Sequence, residues 1–502
     1  MKIAIRVDAS AQIGTGHFMR CLTLAAGLKL RGAQIRFVCR ELPMHFRDML
    51  AAKGMEFASL DNNASASSFD DLAHSHWLGV SQIQDAQTTI QALADRTWDW
   101  IVVDHYALDS RWESMLRQAA KKVLVIDDIA DRQHDCDMLL DQNFYSDMQT
   151  RYADKVSAHC QLLLGPRYAL LRDEFQQLHK QIKPRSGSVK RVLVFLGGVD
   201  TDNYTGHAVE ALSKINVSGL HVDVVVGAQH PCREQIKAAC AQYEFICHVQ
   251  TDKMAEMMQA ADLAIGAGGV ATWERCCLGL PTLAICTADN QQRQVADAAL
   301  EGLLCFPELN GDLDQAIQRH TNALIENSYL RQLISRNSMQ VVDGRGMARV
   351  IASMGCTDIE IRAARPDDSE KLFQWRNHSS IRAVSRNANL IDWAVHQRWF
   401  ASVSADSEKM LLIGWRAESP VGVVRFDMLN DEAEVSIYLV PDGASSGQGS
   451  SLLQSAEQWL AANYPDIRKI RADVLRANER SQRLFVSAGY QVESISYSKR
   501  LY

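Results

Sequence analysis

No run of roughly 18 uninterrupted apolar residues occurs anywhere in this 502-residue chain, so no segment has the length a membrane-spanning helix needs. The N-terminus lacks the charged, then apolar, then small-residue order of a secretory signal, and opens directly on the alternating strand Lys2-Ile3-Ala4-Ile5-Arg6-Val7. A basic surplus is missing as well. The 53 Lys and Arg stand against 60 Asp and Glu, a net charge of −7, which argues against general affinity for nucleic acid or anionic membrane. Cysteine is present but unpatterned: none of the 12 falls in a C-x-x-C, and Cys276 and Cys277 are adjacent. Free, mostly buried thiols of a reducing compartment are therefore expected, with no metal site, since no carboxylate cluster shows metal spacing either. Fixed-period repeats and low-complexity tracts are also absent. What these exclusions leave is a cytoplasmic protein that works on small molecules, with neither nucleic acid nor membrane as partner.

The composition that remains, 47% hydrophobic and 23% charged, is that of a globular protein able to bury real cores, and the length allows roughly three of them. Short β-branched runs alternate with helical stretches in the first half, the pattern of parallel α/β layers. Strands are expected at Lys2 to Val7, Gln34 to Cys39, Trp100 to Val103 and Lys122 to Ile126, and again at Arg191 to Leu196, His221 to Val226, Asp262 to Ile265 and Thr282 to Cys286. Met19, Leu22, Leu24, Ala25 and Leu28 carry the 3.6-residue period of a helix packed on a sheet. The polar stretch Lys183-Pro184-Arg185-Ser186-Gly187-Ser188 reads as a linker, and the pattern changes again past Gly346, where Gly422 to Met428 and Glu434 to Leu439 look like antiparallel neighbours across a turn at Asn430-Asp431. The expected domains are 1–182, 189–345 and 358–502, the first two being paired Rossmann-type units with a ligand cleft at their strand ends.

Directly after the first strand comes Asp8-Ala9-Ser10-Ala11-Gln12-Ile13-Gly14-Thr15-Gly16-His17-Phe18-Met19-Arg20, running into a helix. Gly14 and Gly16 let the backbone approach a ligand, and the helix N-terminus offers free N–H groups to an anion. Met19 stands where the dinucleotide fingerprint requires its last glycine, which disfavours a dehydrogenase. His17 sits where an imidazole either takes a proton from water or merely caps the helix. Asp104, His105 and Tyr106 end a strand on the same side, and either orient His17 or the substrate or simply satisfy a strand-end turn. The second unit has glycine pairs at Gly197-Gly198 and at Gly268-Gly269, the latter followed by Thr272 and Glu274. Such loops wrap a diphosphate, and Glu274 is placed either to accept two ribose hydroxyls or to stand as a solvated helix residue.

Gly-Gly-x-x-Thr-x-Glu before Gly279-Leu280-Pro281 resembles the UDP-sugar site of GT-B enzymes. The run from Asp8 to Leu22, with Val102-Val103-Asp104-His105-Tyr106 and Val342-Asp343-Gly344-Arg345-Gly346, is similar more specifically to the UDP-2,4-diacetamido-2,4,6-trideoxy-β-L-altropyranose hydrolases of pseudaminic acid synthesis, over about the first 350 residues. That resemblance implies a GT-B-like fold, a UDP-sugar substrate, His17 as base, UDP held by the second glycine-rich domain, and other enzymes of the same sugar pathway as partners.

In the last domain, Pro441 to Gly449 followed by a helix with Leu452, Leu453, Ala456, Trp459 and Leu460 makes another strand, glycine turn and helix. With Asn478 to Tyr490 it resembles a GNAT-type N-acetyltransferase, and Leu372 to Asn377 with His396 to Phe400 resembles the sugar-nucleotide 4-amine acetyltransferases of the same pathway. The resemblance implies an α+β fold with acetyl-CoA as co-substrate, its pyrophosphate on Gly447, Gln448 and Gly449, its pantetheine arm between Asn478 and Ser481. Two residues depart from the family: Ala444 replaces the usual Arg or Gln of the phosphate turn, and Phe485 replaces a tyrosine that reprotonates the thiolate. Glu434 either accepts the amine proton through water or is a structural strand carboxylate. Two overall readings follow: a bifunctional UDP-sugar acetyltransferase and hydrolase, or a GT-B glycosyltransferase with an acyl-CoA-binding regulatory domain.

Overall fold

Lys2–Val7 (β1) is buried from Ile3 onward in the computed structural model, because parallel strands pair along both of its edges and helices pack on the sheet. The structure describes all residues except 11, 62–69, 289–290, 308–310, 357–358, 417–418, 442–447 and 494–502. With β1 run Gln34–Cys39 (β2), Glu56–Ser59 (β3), Trp98–Asp104 (β4), Ala120–Ile126 (β5), Met138–Asp141 (β6) and Gln161–Leu164 (β7), a parallel sheet in the order β3-β2-β1-β4-β5-β6-β7. Arg191–Phe195 (β8), His221–Val226 (β9), Ile246–Val249 (β10), Leu263–Ala267 (β11) and Thr282–Ile285 (β12) form a second parallel sheet, β10-β9-β8-β11-β12. In each sheet the strand order reverses at a switch point, between β1 and β4 and between β8 and β11, where loops diverge and leave a crevice at the carboxyl ends.

Both sheets lie in one compact unit, Met1–Val350. The first sheet packs Val103, Val125 and Leu139 against helix residues such as Trp112 and Leu116. The second packs Val194, Val224 and Ile265 against Ala208, Val209 and Leu212. Helix Gly16–Lys29 follows β1 and buries Phe18, Cys21, Leu22, Leu24, Ala25 and Leu28, the periodic residues of the sequence apart from Met19, with Phe18 and Cys21 added.

The second unit, Ile351–Tyr502, is built on Glu360–Ala363 (β13), Lys409–Arg416 (β14), Ser419–Leu429 (β15), Glu432–Leu439 (β16) and Lys469–Arg471 (β17), ordered as numbered. Its pairs are antiparallel except β16 with β17, which is parallel and confined to Glu432–Lys469, Ala433–Ile470 and Glu434–Arg471. Past Glu434 the two strands share no further ladder pair, so the sheet opens into a wedge. The β15–β16 hairpin turns at Asn430, whose φ of 57° is one that Asn tolerates. Helix Gln448–Asn463 covers one face through Leu452, Leu453, Ala456 and Leu460.

Candidate active site at the strand ends

At the β1/β4 switch point the loop after β1 folds back on itself. Gly14 takes a φ of +79°, donates its N–H to the Ser10 carbonyl at 2.9 Å, and the Ser10 hydroxyl accepts the N–H groups of Gln12 and Ile13. Helix Gly16–Lys29 then begins at Gly16 and sets His17 in its first turn. The His17 Nδ1 meets Oδ1 of Asp104, the last residue of β4, at 2.6 Å. One turn on, Arg20 donates Nε and Nη2 to the two oxygens of the same carboxylate, each at 2.7 Å, and Nη1 to Asp128 at 2.8 Å. Tyr106 closes the ring by donating its hydroxyl to the other Asp128 oxygen. Its own ring meets His17 edge-on at 4.7 Å and stacks on Trp77 at 5.6 Å.

The electrostatics follow from this packing. Burial works against ionising Asp104, yet the Arg20 guanidinium and the His17 ring overrule it and hold the carboxyl well below the usual range. Burial raises the Tyr106 phenol, and the Asp128 carboxylate adds to it, so the hydroxyl stays a donor. Asp104 thus remains an acceptor, and the contact suits the His17 tautomer that carries its hydrogen on Nδ1.

Sequence-picked residues separate into two layers here. His17, Asp104 and Tyr106 come together. His105 turns away toward Asp8, 3.4 Å from its carboxylate, and Asp8 is only 1% exposed, paired with Arg6 at 2.8 Å and accepting the Arg40 N–H at 2.7 Å. Asp8 therefore braces the loop from beneath. Arg20 and Asp128, which knit the site together, went unassigned in the sequence. Arg20 carried a signal, lying three residues after His17 on the same helix face, and Asp128 lies two residues beyond the end of the next strand over, β5.

At the β8/β11 switch point, Gly197 has a φ of +106° and lines with Gly198, Asp200 and Thr287 a recess of about 150 Å³. Gly227, after β9, has to be glycine, since a Cβ there would stand 1.8 Å from the Gly198 carbonyl oxygen. Gly268 and Gly269 (φ +85°) follow β11 and lead into helix Val270–Cys277. Thr272 is 2% exposed and points inward: its hydroxyl lies 3.3 Å from the Ala267 carbonyl, and Arg275 Nη2 donates to that carbonyl at 2.5 Å and to the hydroxyl at 3.3 Å. Arg275 so pins together the two ends of the Gly268–Ala271 loop. Burial brings its guanidinium pKa down to about 10. Glu274 lies 3.6 Å from Arg172, and burial raises its carboxyl above the ordinary value.

In the second unit, Gln448 and Gly449 open helix Gln448–Asn463 just beyond the wedge, whereas Gly447 and Ala444 lie outside the described residues. Asn478 caps helix Glu479–Ser487, its Oδ1 accepting the Ser481 N–H at 3.2 Å. Glu434 is exposed on β16, opposite Asp427. Phe485 is buried against Tyr490, whose hydroxyl donates to Glu457 at 2.7 Å.

Residues 358–491 match the acetyltransferase (GNAT) domain family. The first unit aligns with the UDP-2,4-diacetamido-2,4,6-trideoxy-beta-L-altropyranose hydrolase of Campylobacter jejuni, 22% identical over 304 residues that cover 60% of this chain and 97% of that one. The chain is a fusion of a hydrolase-like unit and a GNAT domain. Acetyltransferase PseH of the same organism is 25% identical to the GNAT domain over 115 residues, 23% of this chain and 71% of that one. The crystal structure of Acinetobacter baumannii MurG superposes on the hydrolase-like unit with a TM-score of 0.50 at 14% identity, covering 70% of this chain and 98% of that one. That likeness gives the hydrolase-like unit its fold, a GT-B-like pair of Rossmann-type layers, while the GNAT domain supplies the α+β remainder. No described helix is long and apolar enough to cross a membrane.

Proposed function

We propose that the hydrolase-like unit releases UDP from a UDP-linked 2,4-diacetamido-2,4,6-trideoxy sugar, and that the GNAT domain transfers acetyl from acetyl-CoA to the 4-amine of a UDP-4-amino-4,6-dideoxy sugar, two reactions of one pseudaminic-acid-type route. The observation that carries the first half is the 2.6 Å contact between His17 Nδ1 and Asp104. With Nδ1–H donated to a carboxylate that stays ionised, Nε2 accepts a proton from water as its oxygen bonds to the anomeric carbon; the bond from that carbon to the UDP oxygen breaks, and UDP leaves with the electron pair. The N–H groups after β8 and β11 and the N-terminus of helix Val270–Cys277 suit the diphosphate, with Gly197, Gly198, Gly268 and Gly269 allowing close approach and Glu274 the ribose. In this reading Thr272 and Asp8 shape the two loops, while Gly14 and Gly16 admit the sugar.

In the GNAT domain the reading places the pantetheine arm of acetyl-CoA in the wedge between β16 and β17, beside Asn478 and Ser481, with the pyrophosphate at the helix that begins with Gln448 and Gly449. Glu434, the last residue of β16 paired with β17, accepts the amine proton through water. Tyr490 hydroxyl hydrogen-bonds Glu457, so proton return to the thiolate falls to Ser481 or water.

Incubation of the full chain with the UDP-4-amino sugar and acetyl-CoA, following thiol and UDP separately, tests both halves. Thiol release must come first and UDP release must depend on it. UDP release that depends on an added acceptor, with the sugar transferred to that acceptor in place of water, would support the glycosyltransferase reading, and acetyl-CoA binding without acetylation would make the GNAT domain regulatory.

A further inference from the structure

The two strand-end sites of the hydrolase-like unit are joined by one side chain. Trp273, wholly buried in helix Val270–Cys277 beside the glycine loop, donates its indole Nε1 to Asn143 Oδ1 at 3.0 Å. The other end of the same amide donates Nδ2 to Asp128 at 3.2 Å. From Asp128 the chain of bonds continues through Arg20 to Asp104 and His17. Asn143 itself is 6% exposed. The segment that follows it is fastened to the second sheet's helices: Phe144 packs in the cluster of Trp273 and Val295, Ser146 donates its N–H to Asp297 at 2.9 Å, and Asp147 pairs with Arg293 at 2.6 Å. Tyr145, between them, donates its hydroxyl to the Asp128 carbonyl at 3.0 Å. Asp128 is thus held from one side by groups bonded to and packed against the second sheet's helices, and on the other it anchors Arg20 and Tyr106.

We infer that Asn143 is a positioning residue that couples occupancy of the Gly268–Trp273 loop to the geometry of the His17–Asp104 pair. The inference rests on the nucleotide-sugar reading above. The amide suits the task because it accepts from the indole with one end and donates to a carboxylate with the other; an Asp there would face Asp128 with like charge, and an aliphatic side chain would leave both partners unmet. A ligand that draws helix Val270–Cys277 toward it pulls Asp128 with it, and through Arg20 adjusts where Asp104 holds the imidazole. Binding energy gathered at the diphosphate then improves the reactive geometry, the use of remote contacts that raises turnover and leaves affinity alone.

Trp273→Phe, which removes the N–H donor together with part of the ring, and Asn143→Leu, which keeps the branched four-atom shape without either hydrogen bond, are compared with the wild-type full chain. Three readouts are taken: UDP affinity by calorimetry, turnover for UDP release, and the rate of diethyl pyrocarbonate modification at His17, followed by mass spectrometry with and without UDP. The expected result is a turnover about tenfold lower or worse with UDP affinity within about threefold, and a His17 modification rate that responds to UDP in the wild type and not in either variant. Unchanged turnover with the UDP response retained overturns the inference, as does a wild type that binds UDP without any change at His17. Loss of UDP affinity in step with turnover also overturns it, because the contact would then be packing alone. A wild type that neither binds UDP nor releases it removes the nucleotide-sugar reading itself, and the inference goes with it.

Discussion

Asp104 accepts from His17 Nδ1 and from two nitrogens of Arg20, and the thiol of Cys21 lies 3.4 Å from one of its oxygens, so no oxygen of this carboxylate faces an unoccupied side. Replacing it with Asn keeps the shape but removes the charge that stabilises a protonated imidazole and that decides which ring nitrogen holds the proton. The expected outcome for Asp104→Asn is a fall of about a hundredfold or more in UDP release, with UDP affinity changed only a few-fold; initial rates beside calorimetry check it. His17→Ala should do the same. If His17 only capped its helix, the variant would instead lose about 1 kcal/mol of stability and keep its turnover. At Glu274 the direction reverses: burial already disfavours its charge, and Glu274→Gln should weaken UDP binding about tenfold while turnover at saturation survives.

Among the elements, those that could be read from the sequence are the ones whose identity is local. β1 announces itself through alternation followed by a glycine turn, and the β15–β16 hairpin through the positive-φ Asn430 between two apolar runs. β3, β6, β7 and β10 escaped because each has only four residues: Glu56–Ser59 is only partly buried, and Met138–Asp141 offers three apolar residues too short for a period to show. In the site, His17 stood out in a motif, but Asp128 did not, since its partners Arg20 and Tyr106 reach it only once β1, β4 and β5 are laid side by side. The same is true of the loops after β8 and β9. Gly227→Ala should lower the melting temperature by several degrees and weaken UDP binding, because its Cβ would displace the Gly198 backbone carbonyl in the loop that lines the recess; thermal unfolding with and without UDP checks it.

For the whole molecule, the division at Val350/Ile351 carries its own expectation. Residues 351–502 hold two hydrophobic clusters, one under helix Gln448–Asn463 and one around Phe400 and Ile413, and should fold alone and bind acetyl-CoA, as circular dichroism and calorimetry would show. The hydrolase-like unit should be the acid-sensitive one. Asp8, Asp85 and Asp104 are held below the ordinary carboxylate value near 3.9 by their arginines, and Asp127 down to about 2 by Arg132 and His134, all against the opposing pull of burial. Such groups contribute stability above pH 4 that drains away as pH falls toward 2, so its melting transition should drop over that window while the GNAT domain's moves less. The order of strands also sets a timetable. β1 precedes the other strands of its sheet in the chain and lies inside that sheet, yet its second neighbour, β4, starts only at Trp98; β8 waits in the same way for β11. The hairpins β14–β15–β16, by contrast, close between adjacent segments. On dilution from denaturant, the C-terminal unit should therefore acquire structure in the fast phase, while the N-terminal unit keeps an apolar strand edge open until β4 and β11 pair, and it is that unit which should aggregate without chaperones.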